Sequence, residues 1–316
     1  MVVSIAPYCL SFSQQTCNSN YISKHIALSK YRRDIRRGCL RRPQILPSTL
    51  GDAVGLRVFV LSDLHTDYTE NMEWVKCLPT VRYKNDVLIV AGDVAETYKN
   101  FIVTMSLLKD RFEHVLYVPG NHDLWCRHEG EIYACKDFKA CKWSKELSNG
   151  DISLALYFDA MNEKNQSVIK EIQNTCNQII TFSHFVPRQE LCPEKRMLFY
   201  PKLPKIIGSD CLEFRIRSIH GVEGSPSACH VFGHTHFCWD SVLHGIRYVQ
   251  APLAYPRERK RRMNGGDKWL PFCIYSHGKF SDRLSPCYWS DYYSTNPRTP
   301  HNTQLAPWVA RFYNQT

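Results

Sequence analysis

The sequence predicts an α/β fold, on three observations. In the first half, short apolar runs alternate with segments of helical spacing, the order expected of strands joined by crossover helices. Each apolar run ends in a short polar loop. Over 316 residues, 44% hydrophobic and 22% charged, the chain can also bury a sizeable core.

The elements follow in order. Leu56 to Asp63 (LRVFVLSD) reads as a buried strand, and Glu70 to Leu78 as a helix through Trp74, Val75 and Leu78. Asp86 to Gly92 (DVLIVAG) is a second strand. Glu96 to Phe112 is a helix whose Phe101, Ile102, Met105, Leu108 and Phe112 recur at three- and four-residue steps. His114 to Val118 is a third strand, Glu163 to Gln178 a helix, and Ile179 to Phe182 a strand. Ala228 to Phe232, Asp240 to Leu243 and Ile246 to Val249 are short strands, the last two joined by a His244-Gly245 turn. The second half therefore reads as more antiparallel than the first.

Composition excludes several classes. No run approaches the roughly 18 to 20 apolar residues of a membrane-spanning helix. The net charge is +10, but residues 1–50 hold eight Lys/Arg against the single acid Asp34, so seven of those charges sit in a segment without apolar periodicity. That weakens a nucleic-acid reading of the body. The same segment is acid-poor, Ser- and Arg-containing, and ends in a Pro-punctuated stretch, like an organellar transit peptide. It points to an organelle, the chloroplast first, with mitochondrion or cytoplasm as alternatives; a basic disordered arm would have the same composition. Fourteen cysteines without any C-x-x-C pair argue for reduced thiols rather than a zinc knuckle or a redox pair. The expected organisation is a basic segment over 1–50, a catalytic domain over 56–256, and a basic, aromatic extension over 257–316.

One class of residue recurs where strands end. Asp63-Leu64-His65 follows the first, Gly92-Asp93 the second and Gly120-Asn121-His122-Asp123 the third; His184 and Gly233-His234-Thr235-His236 follow two later ones. Ligands of α/β sheets gather at the carboxyl ends of strands. Asp63 and His65, two apart, can aim both side chains at one ion. Asp93 can bridge two ions with its two oxygens, and Asn121 offers a neutral carbonyl. His184, His234 and His236 add imidazoles. Such a mixed donor set suits Mn, Fe or Zn, and burying it is costly unless something binds there.

These motifs, DLH, GD, GNHD, a lone His and GHTH in that order, closely resemble the calcineurin-like metallophosphoesterases, the plant-type members in particular, from about Arg57 to about Tyr255. The resemblance implies a four-layer αββα sandwich of two mixed β-sheets. It assigns Asp63, His65 and His236 to a first metal, Asn121, His184 and His234 to a second, and Asp93 to both. It places His122 near the leaving-group oxygen, oriented by Asp123. The implied activity is hydrolysis of a phosphate mono- or diester, with two metal ions activating the attacking hydroxide and no Ser or Cys nucleophile. One departure concerns the polar stretch 124–150, where family members usually place further strands, so one strand region is expected to be shortened.

Other features carry less. Arg127, His128 and Arg188 follow motif segments and can grip phosphate oxygens, though a solvated charge explains each. The run Arg257-Glu258-Arg259-Lys260-Arg261-Arg262 reads as an exposed segment with some capacity to steer anions. It also motivates the alternative reading, a non-catalytic scaffold that binds RNA or a protein partner; nucleic acid is not favoured. The substrate expected is a phosphorylated small molecule or other phosphoester. His220 and His230 lack motif partners and read as ordinary core or surface residues.

Overall fold

The computed structural model describes the backbone of residues 2–4 and 10–13, and residues 55–124, 146–147, 151–200, 203–205, 207–221, 223–260, 266–284 and 287–314. Two mixed sheets stand face to face. The six-stranded first sheet is built on the parallel strands β3 (Val58–Leu61), β4 (Val87–Ala91) and β5 (His114–Val118). Its edges are β10 (Phe272–Ser276) with β11 (Lys279–Phe280) beside β3, and β2 (Leu10–Ser13) antiparallel to β5. The five-stranded second sheet runs β1 (Val2–Ser4), β6 (Ile179–Phe182), β7 (Ala228–Phe232), β9 (Ile246–Gln250), β8 (Trp239–Leu243), with only β8 antiparallel to its neighbour.

The reason these runs make central strands is their uniform apolarity. VFVL, VLIVA, IITF and ACHVF are buried at every position, as strands covered on both faces must be. Ile180, Phe182, Val231 and Val249 of the second sheet meet Val60, Ile89 and Leu116 of the first in one core. Helices α1 (Thr69–Lys76) and α2 (Tyr98–Arg111) cover the outer face of the first sheet through Val75, Met105 and Leu108. The other outer face buries Ile169 and Ile172 of α4 (Gln166–Thr175), Ile216 and Ile219 of α5 (Asp210–His220), Trp289 of α7 (Tyr288–Thr295) and Val309 of α8 (Pro307–Asn314). The result is the four-layer αββα arrangement.

Three features go beyond the expectations. After residue 256, β10 pairs with the central strand β3, and Trp289 is fully buried. The apolar alternation of FCIYS is too short to announce a strand without its partner. Within the segment read as a transit peptide or disordered arm, Val2–Ser4 and Leu10–Ser13 form an edge strand in each sheet; its basic part, residues 14–54, lies outside the described residues. Finally, the helix expected over Glu163 to Gln178 is α4, and a further helix, α3 (Ser153–Glu163), precedes it across Lys164-Asn165. The shortened strand region expected at 124–150 lies almost wholly outside the described residues, as do Arg127 and His128. The described cysteines are free thiols.

Behind β6 and β7 runs a buried polar chain. Thr181 Oγ1 lies 2.9 Å from both His220 Nε2 and His230 Nδ1, and His230 Nε2 lies 3.0 Å from Ser183 Oγ. Burial, aided by Arg217, lowers the His220 pKa to about 4, and burial with the neighbouring His220 holds His230 well below its ordinary value. Both rings are therefore neutral in the folded protein. The folded state binds fewer protons, so this stability is present above the ordinary imidazole value of 6.5 and is lost as pH falls toward about 4. The melting temperature is expected to drop by several degrees between about pH 7 and pH 5, and His220→Gln to flatten that dependence, as thermal unfolding at each pH checks.

Candidate metal centre

The site forms where the carboxyl ends of the two sheets are stitched together. Ser62 N–H donates to Ala251 O, Leu253 N–H to Ser62 O and Ala254 N–H to Asp63 O, so β3 and β9 run on as a shared seam. Asp63 and His65 N–H groups donate in turn to Gly92 O and Asp93 O, and Gly233 N–H to His184 O. Five loops from five strands are thereby held against one another.

Those loops bend sharply. Asp63, His65, Asp93, His234 and His236 all have left-handed backbone, with φ of 53°, 43°, 55°, 81° and 59°. Each such residue costs roughly 1 to 3 kcal/mol and persists only where its surroundings hold it. Five of the seven residues picked out from the motifs thus carry backbone strain. Gly120 shows how tightly they are packed: a Cβ there would lie 2.1 Å from Asp93 Oδ1 and 2.6 Å from Asp93 N.

The seven side chains converge. His65 Nε2 and His236 Nε2 are 2.9 Å apart, His65 Nε2 and Asp93 Oδ2 3.9 Å, and His236 Nε2 and Asp63 Oδ1 3.7 Å. The donor atoms of Asp63, His65, Asp93 and His236 lie within 4.8 Å of one another. On the other side of Asp93, Asn121 Oδ1 lies 2.9 Å from His184 Nε2 and 3.0 Å from His234 Nδ1, and His184 Nε2 is 3.4 Å from Asp93 Oδ2. Asp93 thus stands between two donor groups. Asp63, His65, Asp93 and His184 are each no more than 2% exposed.

Electrostatics keep most of these imidazoles as lone-pair donors. Burial, then the neighbouring imidazoles, hold His65 and His234 well below the ordinary range, and burial lowers His184 against the pull of Asp63. His184 also has its Nδ1 2.9 Å from Ala91 O, so that nitrogen carries the proton and Nε2 faces the cluster. In His236, burial is outweighed by Glu258 and Asp63, which raise its pKa.

Two acids absent from the sequence reading complete the site. Glu258 Oε2 lies 2.8 Å from His236 Nδ1, and Glu96 Oε1 lies 2.9 Å from His122 Nδ1. A carboxylate on the far nitrogen of an imidazole fixes its ring and tautomer. Glu258 sits in α6 (Pro256–Arg259), inside a run whose basic composition suggested a solvated segment. Glu96 is aimed by Asp67, which accepts the Glu96 N–H at 2.5 Å and the Thr97 hydroxyl at 2.6 Å. Glu258→Gln is expected to cost about 10- to 100-fold in metal affinity, checked by metal titration of the stripped protein.

Asp123 engages backbone amides on two loops. Its carboxylate accepts the N–H groups of Asp93, Val94 and Ala95 at 2.8, 2.8 and 3.1 Å, and that of Gly120 at 2.9 Å. It clamps the Asp93 loop to the Asn121 loop. Burial raises its pKa against hydrogen bonds from the Gly120, Ala95 and Val94 amides and the Tyr117 side chain. His122 Nε2 lies 3.9 Å from Asp93 Oδ2, at the edge of the cluster. Arg188 is engaged by Glu190 at 2.6 Å and Glu213 at 3.3 Å, which leaves it a structural ion pair.

Aromatic rings form the walls. Tyr255 packs on His65 and His236 with centroid separations of 4.5 and 4.7 Å, and on Tyr68 at 5.1 Å; Phe185 lies 5.2 Å from His184 and from His234. None of these was marked by the motifs, because an aromatic residue in a loop has no periodicity to give it away.

A donor set of carboxylates, imidazoles and one amide, mostly buried, with four of its donor atoms within 4.8 Å of one another, fits a divalent-metal site. The chain is similar to the acyl-carrier-protein phosphodiesterase PptH of Mycobacterium tuberculosis, 23% identical over 265 residues that make up 65% of this chain and 80% of that protein. The crystal structure of phosphopantetheinyl hydrolase (PptH) from Mycobacterium tuberculosis aligns with a TM-score of 0.46 at 20% identity, over 80% of this chain and 99% of that one. Residues 56–238 match the family model for calcineurin-like phosphoesterase, more than half of the chain, and the protein belongs to that family.

Proposed function

We propose that this protein is a phosphoesterase with a dinuclear centre of Mn, Fe or Zn, acting on a phosphodiester in preference to a monoester. The observation that carries the reading is the pair of donor groups meeting at Asp93 on strained, mutually bonded loops. Asp63, His65 and His236 would hold one ion, Asn121, His184 and His234 the other, and Asp93 both. When bound, the ions would neutralise phosphoryl oxygens and lower the pKa of water.

The chain's own groups supply the rest. Glu258 keeps the His236 Nε2 turned inward. Glu96 keeps the His122 ring beside Asp93, where it can pass a proton to the leaving-group oxygen. Burial of the donors strengthens every charge interaction there. The preference for a diester is supported by the phosphodiesterase to which the chain is similar. The plant-type likeness and an organellar address belong to the same proposal, on motif order and on the acid-poor composition of residues 1–50.

The test is turnover together with metal content. Protein loaded with Mn or Zn should bind two ions per chain by elemental analysis and hydrolyse bis(p-nitrophenyl) phosphate faster than p-nitrophenyl phosphate. A scaffold would purify with far fewer ions and turn over neither.

A further inference from the structure

The mouth of the site carries a cation that none of these roles uses. Tyr255 walls the His65 and His236 side, and the Arg257 guanidinium lies over its ring, 5.8 Å from the centroid, with the arginine side chain exposed. The next residue turns the other way, Glu258 reaching inward to His236. One short turn therefore sets an acid toward the centre and a cation at its rim. Arg257 is near enough that its charge acts on both His236 and Glu258.

Its neighbours are engaged. Arg259 faces Asp267 at 3.6 Å and donates to Asn71, while Arg188 holds Glu190 and Glu213. Arg257 has no carboxylate within ion-pair distance among the described residues. Stacking on an aromatic face leaves the N–H edges of a guanidinium available, and that edge matches the two oxygens of a carboxylate or phosphate. Glu258, beside it, has its charge already drawn to His236.

We propose that Arg257, backed by Tyr255, reads a second anionic group on the substrate, a carboxylate or phosphate next to the scissile phosphoester. The proposal rests on the phosphoesterase reading and narrows its substrate class to esters bearing such a group.

Two p-nitrophenyl alkyl phosphodiesters test it, identical except that the alkyl arm ends in a carboxylate or in the primary amide. The unaltered protein should favour the carboxylate about ten-fold in kcat/KM, mainly through KM. Arg257→Gln should erase that preference, and Arg257→Lys should retain part of it. Equal kcat/KM for the two esters in the unaltered protein, or a preference that survives Arg257→Gln, overturns the role of Arg257 and leaves the phosphoesterase reading standing. Absence of turnover for both esters with metal bound overturns both.

Discussion

Replacing Asp93 by Ala is expected to reduce phosphoester turnover by about 10³-fold or more, the several kcal/mol of transition-state charge stabilisation a metal centre supplies. Asp93 Oδ2 faces both donor groups, with His65 on one side and His184 on the other. Its Oδ1 also accepts the His122 N–H at 2.9 Å, so the same substitution loosens the loop that carries Asn121 and His122. Metal content should fall with activity. Steady-state kinetics beside elemental analysis checks both, and a variant that still binds two ions and turns over normally would remove Asp93 from the centre. Asp93→Asn separates the effects, because it keeps an acceptor for His122 while deleting the charge.

The largest effect on stability is expected at Asp123. Four buried amides converge on its carboxylate, and each left unsatisfied costs roughly 1 to 3 kcal/mol. Asp123→Ala should destabilise the fold by about 3 to 5 kcal/mol, the range for breaking a buried charged network, after water has recovered part of the loss. Asp123→Asn keeps one accepting oxygen and should cost less. Denaturant unfolding measures this directly. Were Asp123 merely the partner of His122, Asp123→Ala would lower activity at nearly unchanged stability, and the four amide contacts would carry no weight.

The roles of Glu258 and Asp123 show where reading from sequence stops. Glu258 stands in a run of five basic residues, so its local composition points to solvent. Only the turn at Pro256 sends it back to His236, and no spacing rule reports a contact between residues 22 apart. Asp123 accepts four backbone N–H groups from two loops, and adjacency to His122 in sequence does not say which way a carboxylate faces. Phe272 to Ser276 was passed over for a related reason: a five-residue strand owes its existence to β3 beside it.

The central strands and the identity of the motif residues were written into the chain locally. A uniformly apolar run ending in Asp, His or Asn needs no distant information to be recognised, since burial on two faces and a polar terminus are properties of the segment itself. Which residues share a proton, a clamp or a wall was decided only by folding. Hydrogen bonds and ring contacts depend on distances of a few ångströms between segments far apart in sequence, and those distances are set by how the two sheets close on each other.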